Sequence, residues 1–530
     1  MSVNPRQHGR PPTERPSAIC PTNIVEATGT ENHGTATRRS PAIAQRDRPA
    51  RPPPVRRSIA SDLWTTRPRH VPHGQVTKDA TKPPHILIIG GGSVGLYTAH
   101  RLQRHLRREL GRGDVRMTMV SPDPYMTYQP FLPEAAAGNI SPRHVVVPLR
   151  RVLNRCRFVT GEVTSIDTAR RVATIRTAAA RDSGGPAMEI SYDELVLAPG
   201  SISRVLPIPG LAAHGIGFKT VEEAIGLRNH VLEQLDIASS TRDTAIRQAA
   251  LTFVFVGGGY AGVEAMAELE DMARYACRYY PNLRPEEQKW MLIEATDRIL
   301  PEVGTEMGRY TVRELRGRNI DIRLSTRLET IEDRVAVLSD GSRYPTRTLV
   351  WTAGVKPHPV LADCGVPLDE RGRIRCTAEL RVLDTPHVWA AGDSAAVPDL
   401  TADDPTALCA PNGQHAVRQG RHIARNLLAT LRGGTVTPYR HAYVGSVASL
   451  GLHKGVAQVY GRKLKGFPAW FMHRTYHLNK MPTINRKARV VAEWTLAGLF
   501  KREIVSLGSL EHPRAEFEEA AGGIPRPDRP

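Results

Sequence analysis

One construction occurs twice in this chain of 530 residues, and that repetition limits what it can fold into. The first copy is His85-Ile-Leu-Ile-Ile-Gly90-Gly-Gly92-Ser93-Val-Gly95, and the second is Leu251-Thr-Phe-Val-Phe-Val-Gly257-Gly-Gly259-Tyr260-Ala-Gly262. Each is an apolar run of strand length, broken by glycines and followed by a helix-like stretch. In such a strand–turn–helix unit the first glycine permits the tight turn. The second lets a pyrophosphate approach the backbone, and the third lets helix and strand pack closely. The helix start then offers free N–H groups and partial positive charge to the phosphates. A lone G-x-G-x-x-G is a weak signal. Two copies about 170 residues apart, in the same context, predict an α/β chain with two Rossmann-like dinucleotide-binding domains.

The bulk properties are consistent with that reading. The length suits two or three domains, and no apolar run reaches the 18 or so residues that span a bilayer. Six cysteines, at positions 20, 156, 277, 364, 376 and 409, form no C-x-x-C or other close pair, which argues against a zinc site or a disulfide framework. The net charge of +19 is uneven: residues 1–84 carry 14 Lys/Arg and 6 Asp/Glu, and residues 411–530 carry 19 and 7. Those ends hold +8 and +12, leaving 85–410 near −1, so the nucleotide-binding body carries no duplex-binding charge and no specific nucleic-acid partner is expected. Residues 1–84 also hold 14 prolines and no apolar periodicity, which predicts a disordered tail.

Along the chain, a helix is expected from Val94 to Leu110 and a strand over Arg116–Val120, completing a βαβ unit. A ribose-binding acid belongs at that strand's end, but Ser121 stands there and Asp123 is the candidate substitute. Pro122–Pro142 reads as a long functional loop containing Tyr125, Tyr128, Gln129 and Pro130. A β-meander follows over Phe158–Ile175, and Asp193-Glu-Leu-Val-Leu-Ala-Pro-Gly200 reads as a strand returning to the sheet. The second unit comprises a helix over Thr220–Leu235, the strand Leu251–Val256, a helix from Ala261 to about Tyr280 and the strand ending at Glu294. At that position a carboxylate accepts both ribose hydroxyls and repels a 2′-phosphate, so NADH is expected over NADPH. A hairpin around Asp340-Gly341, a strand over Thr348–Thr352 and the turn Ala353-Gly354 come next. Pro386-His-Val-Trp-Ala-Ala-Gly392-Asp393 reads as a buried strand ending in an acid, Gly413–Leu431 as a helix, and Arg440–Tyr460 as strand.

Two glycine turns with an Ala-Gly-Asp strand end after both resemble the glutathione reductase-like flavoproteins over about residues 85–435. In that group the first turn holds FAD, the second holds NAD(P)H, and the match to Gly392-Asp393 contacts the flavin's ribityl-phosphate region. The disulfide-reducing members carry cysteines just after the first βαβ unit; here none lies between Gly90 and Cys156, implying that electrons leave the flavin directly. The sequence more closely resembles the type II NADH:quinone dehydrogenases. Tyr125 to Gly138, with Gln129-Pro130, looks like their flavin-contacting loop. Gly257-Gly-Gly-Tyr260-Ala-Gly-Val-Glu264 looks like their NADH turn, whose glutamate lies beside the reacting rings, and Val350-Trp-Thr-Ala353-Gly354 looks like the loop that reaches the nicotinamide. Gly413-Gln414-His-Ala416-Val-Arg418 stands where the family has AQxAxQ; Gln414 and Ala416 match, whereas Gly413 replaces Ala and Arg418 replaces the second Gln.

The resemblance implies a discontinuous FAD domain (85–205 and 358–435), an inserted NADH domain (206–357) and a C-terminal quinone- and membrane-facing region (436–530). It implies catalytic roles for Glu264, Gln414 and Arg418: proton or ring steering, hydrogen bonding to a quinone carbonyl, and stabilisation of an anionic reduced ring. From the residues alone, Gln414 and Arg418 also fit a solvated i, i+4 stripe, and Glu264 a polar helix start. The histidines at 415, 422, 441 and 453 show no metal-ligand spacing, and no metal is expected.

Gly466-Phe-Pro-Ala-Trp-Phe-Met472 and Val490-Val-Ala-Glu-Trp-Thr-Leu-Ala-Gly-Leu-Phe500 are too short to span a bilayer. They are flanked by Arg462, Lys463, Lys465, Arg474, Lys480, Arg486, Lys487, Arg489, Lys501 and Arg502. Such segments can lie in the membrane interface, with Trp at headgroup level and cations on anionic lipid. Members of the family are monotopic in this way, which implies a peripheral place on the cytoplasmic face of the cell membrane. Core packing or a homodimer interface is the competing reading of the same stretches. An NADH-dependent reductase of a soluble carrier, a sulfide:quinone oxidoreductase using Cys156 and Cys409, and a non-catalytic nucleotide-sensing flavoprotein with nucleic-acid-binding tails are the alternatives in function.

Overall fold

A computed structural model describes residues 82–441, 445–500 and 502–506. The disordered tail expected over 1–84 falls, apart from its last three residues, outside the described residues, as do Lys501 and 507–530.

From His85 the chain builds β1 (His85–Ile89), α1 (Ser93–His105) and β2 (Arg116–Ser121). The expected single helix to Leu110 breaks at Leu106, which leaves helical geometry, and a short helix Arg107–Arg112 follows. Residues 122–142 contain more regular structure than the expected loop. A strand at Tyr125–Thr127 pairs with Val146–Pro148, Gln129–Phe131 forms a 3-10 turn, and Leu132–Ala136 is a short helix, α2. Ala135, Ala136 and Ala137 are fully buried, because side chains this small let α2 pack against its neighbours. The meander is β3 (Arg157–Asp167), β4 (Val172–Thr177) and β5 (Met188–Ser191), and β6 (Glu194–Leu197) returns to the sheet.

The second body comprises β7 (Gly215–Gly217), α3 (Val221–Ser240), β8 (Thr252–Val256), α4 (Tyr260–Ala276), β9 (Lys289–Ile293), β10 (Ile320–Arg323) and β11 (Thr348–Trp351). Thr220 and Glu223 form a reciprocal capping box at the start of α3, which outruns its expected end by five residues. A further helix, Thr244–Ala250, is capped by Asp243. Helix α4 stops at Ala276, and the last expected turn, Cys277–Tyr279, is 3-10. The hairpin at Asp340-Gly341 joins Val335–Leu338 to Arg343–Pro345 and gains a third strand, Leu328–Thr330. Beyond it come β12 (Val388–Ala390), α5 (Gly413–Leu431), an antiparallel sheet of β13 (Gly445–Ser449), β14 (Gly455–Val459) and β15 (Arg462–Lys465), and two helices, α6 (Phe467–Lys480) and α7 (Ile484–Phe500).

Two sheets organise these elements. The first runs β12-β6-β1-β2-β3-β4-β5, parallel from β12 to β3 and antiparallel beyond; the second runs β7-β11-β8-β9-β10 and is parallel throughout. β1 and β8 hold the same place in each, and every residue of both is buried, which accounts for their uninterrupted apolar sequences. The chain leaves the first sheet after β6 and returns at β12 through an antiparallel ribbon, Ser201–Ser203 against Val355–Pro357.

The glycines after β1 and β8 repeat one geometry. Gly90 and Gly257 have φ of +100° and +116°, and a Cβ on Gly95 or Gly262 would fall 1.9 or 2.0 Å from the carbonyl oxygen of Gly90 or Gly257. Gly92 has no neighbour within 4 Å of such a Cβ. Gly95→Ala should therefore lose about 1–3 kcal/mol of stability in denaturant titration, as over-packed sites do, while Gly92→Ala should stay within about 0.5 kcal/mol of the parent.

Candidate active site

Gly92 and Gly259 are the N-caps of α1 and α4, both in extended backbone, and neither helix start has a side-chain cap or an acid in its first turn. Both glycines face open space. Two helix N-termini thus have no side-chain cap and room in front of their glycines, which fits the diphosphate of a dinucleotide at each. Ser93 and Tyr260 are the first helical residues, and both are half-buried.

The ribose ends differ. Glu294 leaves β9 with one carboxylate oxygen accepting the Gly258 N–H at 2.6 Å and the other accepting the Thr296 N–H and hydroxyl at 2.8 Å each. These bonds lock the carboxylate against the glycine turn. Ser121 holds the matching place after β2: a Cβ on Gly91 would lie 2.7 Å from its Oγ, as one on Gly258 would lie 3.0 Å from Glu294 Oε2. Ser121 is buried, and Asp123 is exposed beyond it.

Around the first turn the structure gathers segments distant in sequence. A Cβ on Gly392 would meet Val94 of α1 at 2.8 Å, and the Gly392 N–H donates to Gln419 of α5 at 2.9 Å. Gly420 allows α5 to press on α1, since a Cβ there would be 2.7 Å from the Val94 carbonyl oxygen. Asp393 accepts a 2.8 Å bond from Ser201, whose Oγ in turn accepts from Lys219 Nζ at 2.8 Å. Burial lowers the Lys219 pKa, against the raising influence of Asp393 and Glu223. The start of α3 also fixes the 125–138 segment: Tyr125 donates to Glu222, and Gln129, beside Pro130, donates to the Lys219 carbonyl at 3.4 Å. Gly200 and Gly354, at φ +78° and +96°, flank the ribbon between the sheets, and Ala353 lies against Gly257, 2.8 Å from where its Cβ would be. Lys219, Ser201 and Glu222 carried no motif; only the T-x-x-E of the capping box marked that helix start in the sequence.

Glu264 lies one turn into α4. It is 6% exposed, accepts the Ser449 N–H of β13 at 2.7 Å, and lies 3.1 Å from His473 Nε2 of α6. Glu268, a turn further, has no exposure and accepts bonds from Asn139 at 2.9 Å and the Ser449 hydroxyl at 2.7 Å. Glu134 of α2, 1% exposed, accepts the Trp494 indole N–H at 2.8 Å and pairs with Arg474 at 3.0 Å. Three buried carboxylates from the two nucleotide-binding bodies are thus met by groups from 449–494. Burial, with Glu134 nearby, pushes the Glu268 carboxyl up to about 7. Burial works to lower His473, but Glu264 outweighs it and raises the imidazole. His477, buried beside His473, is held well below its ordinary value, by burial first.

The expectation of tryptophans at headgroup level is not met. Trp470 is buried, Trp494 is half-buried with its N–H on Glu134, and the Arg474 guanidinium lies over both rings at 4.2 and 4.8 Å. The exposed large apolar residues of α6 and α7 are aliphatic or Phe, among them Phe467, Phe471, Ile484, Leu496, Leu499 and Phe500, with Thr475, Asn479, Asn485, Arg489 and Thr495 exposed beside them. Gln414 donates to the Gly445 carbonyl at 2.9 Å and accepts from Arg418 at 3.3 Å, so these two act as a unit at the start of α5. They are not brought to Glu264 by any direct contact.

A carboxyl whose folded pKa lies above its unfolded value binds more protons folded than unfolded, so it makes stability fall as pH rises from about 4.5 towards 7. Glu268→Gln should remove that dependence: its melting temperature relative to the parent should be higher at pH 8 than at pH 5 in paired thermal melts.

A family model described as pyridine nucleotide-disulphide oxidoreductase matches residues 84–420. The chain is 28% identical over 397 residues to a type II NADH:quinone oxidoreductase of Staphylococcus epidermidis, covering 73% of this chain and 93% of that one. It is 25% identical over 446 residues to the type II NADH:quinone oxidoreductase Ndh of Mycobacterium tuberculosis, covering 81% and 91%. In fold it is similar to NDH2 from Plasmodium falciparum, solved in complex with NADH, at a TM-score of 0.72 and 16% identity, over 80% of this chain and all of that one. With the family model covering well over half its length, both glycine turns included, the chain belongs to the pyridine nucleotide-disulphide oxidoreductase family.

Proposed function

We propose that the protein is an NADH:quinone oxidoreductase of the type II kind, with FAD on the first glycine turn and NADH on the second. One observation carries this reading: two open, uncapped glycine helix starts, one per parallel sheet, occur in a chain that relatives of that name match over more than nine-tenths of their length. We propose the division into 85–205 with 358–435 for FAD, 206–357 for NADH and 436–530 for the acceptor side.

Gly90, Gly92, Ser93 and Gly95 would hold the FAD diphosphate, with Gly392 and Asp393 at its ribityl side and Tyr125, Gln129 and Pro130 closing over it. Bound there, FAD would supply the two-electron chemistry that couples oxidation of NADH to reduction of a quinone. The protein's part is orientation. Gly257, Gly259, Tyr260 and Gly262 seat the NADH diphosphate, Glu294 fixes the adenosine ribose, and Ala353-Gly354 direct the nicotinamide end. Glu264, 3.1 Å from His473 Nε2 at the junction with the C-terminal region, would steer a proton or the ring positions, and Gln414 with Arg418 would line the acceptor end of α5.

The cysteines favour this over thiol-based relatives. Burial pushes the Cys156 thiol up to about 12 and the Cys409 thiol up to about 11, so neither is a thiolate at neutral pH, as a sulfide or disulfide relay requires. No helix among the described residues is long and apolar enough to cross a membrane. Contact with an anionic membrane is through the apolar faces of α6 and α7 and the cations beside them, on the cytoplasmic face of the cell membrane. A homodimer through the same faces is the competing use of that surface.

The test is steady-state oxidation of NADH and NADPH by the full-length flavoprotein, with a quinone analogue and with ferricyanide. NADH should be strongly preferred. Glu294→Gln, which can still accept the Gly258 N–H but lacks the charge, should lower the NADH/NADPH ratio of kcat/KM by about tenfold, or about 1.4 kcal/mol. Gln414→Ala and Arg418→Ala should raise the quinone KM while leaving ferricyanide reduction intact. Equal use of NADPH by the parent, or unchanged quinone kinetics in both α5 variants, would overturn those assignments.

A further inference from the structure

Between α1 and α5 lies a cavity of about 310 Å³. Five guanidinium groups line it: Arg101 of α1, Arg418, Arg421 and Arg425 of α5, and Arg440 beyond. His422 and Tyr439 complete the wall, and no carboxylate does. Among the described residues none of the five arginines makes an ion pair, although arginines elsewhere in the chain pair freely with acids. Asp399, which acts on neighbouring His415 and His441, is already occupied by the N–H and hydroxyl of Thr401.

The arginines are held in place by groups other than acids. Arg421 lies over the Tyr97 ring at 4.9 Å, and Arg418 donates to the Gln414 carbonyl one turn back on its own helix at 3.1 Å. His422 donates from Nε2 to the Thr437 carbonyl at 2.7 Å, which leaves Nδ1 to face Arg425 at 3.5 Å as an acceptor. Arg101 Nε is buried and has no hydrogen-bond partner. Burial and the neighbouring Arg425, Arg421 and Arg104 all disfavour the charge on Arg101. The same field reaches Lys480 at the end of α6, whose carbonyl accepts the Tyr97 hydroxyl at 2.7 Å. Five like charges around one cavity repel each other, and planar N–H forks left open in that arrangement match the oxygens of a phosphate.

We propose that this cavity is a binding site for a phosphorylated anion, either the headgroup of an acidic phospholipid or a soluble diphosphate. The two sources share the chemistry. The lipid source gains from position, because the cavity borders the end of α6, four residues before Ile484, which is 84% exposed at the start of α7. The site is distinct from both dinucleotide turns, which use backbone N–H groups at helix starts rather than guanidinium groups.

The experiment titrates the full-length flavoprotein with inorganic pyrophosphate by calorimetry. In parallel it measures flotation with vesicles of phosphatidylcholine alone and of phosphatidylcholine doped with phosphatidic acid. The parent should bind pyrophosphate saturably at one site, and Arg421→Gln/Arg425→Gln should weaken binding by about tenfold or more, as loss of two charge-assisted contacts implies. Arg101→Gln, a milder change on the opposite wall, should weaken it in the same direction, and both variants should retain the parent's circular dichroism and flavin content. Preference for the doped vesicles that falls in the variants and is competed by pyrophosphate assigns the lipid headgroup. Arginine-dependent pyrophosphate binding without vesicle preference assigns the soluble anion. A parent that neither binds pyrophosphate saturably nor prefers doped vesicles overturns the proposal, and so do folded variants that behave as the parent does.

Discussion

Three buried carboxylates tie the C-terminal region to the nucleotide-binding bodies. Glu134, Glu264 and Glu268 are 1%, 6% and 0% exposed, and an isolated carboxylate in such a position would be strongly destabilising. What compensates them comes largely from the last hundred residues: the Ser449 N–H and hydroxyl, His473, Arg474 and the Trp494 indole. Arg502 adds to this through Asn139, its Nε donating at 3.0 Å to the amide that itself bonds Glu268. Removing one partner of such a buried pair costs about 3–5 kcal/mol. The segment that carries the exposed apolar faces is therefore also structural, and α4, which begins at the second glycine turn, reaches it through Glu264 and Glu268.

The two dinucleotide units show how little separates sites of one design. Backbone dictates most of each: positive φ at the first glycine, an open N-cap at the second, and an almost touching carbonyl at the third. The two differ in the side chain at the end of the second strand. Glu294 reaches the glycine turn and is held there by three hydrogen bonds, whereas the shorter Ser121 fills the same corner beside Gly91 and leaves no charge. The first strand end thus offers a glycine turn without a carboxylate, and the second a glycine turn with one fixed against it.

Positive charge in the C-terminal third has two destinations. Arg474 is inside, between two indole rings and on a buried acid, and Arg502 reaches Asn139. The arginines of α5 stay together without acids, on the face that α5 turns towards the far end of α1. Net charge alone does not distinguish a cation that holds the fold together from one left open to a ligand. Only the positions of the carboxylates make that distinction.

Features set by near neighbours are legible in the sequence. Apolar runs of strand length, glycines at fixed offsets, Glu294 at a strand end and the boundaries of α5 all depend on residues within a few positions or one turn, and the fold has each where the pattern implies. Composition also separated the near-neutral body from its basic end. The inward turn of Trp494, the pairing of Glu264 with His473, the Asp393–Ser201–Lys219 chain and the helix at Leu132–Ala136 were not legible. Each joins residues whose partner is far away in sequence or whose helix is stabilised by packing rather than propensity: 360 positions separate Trp494 from Glu134, and 192 separate Asp393 from Ser201. A burial pattern shows that a side chain has left water, but the group that meets it there is set by how two sheets and a C-terminal helix pair come to share one interior.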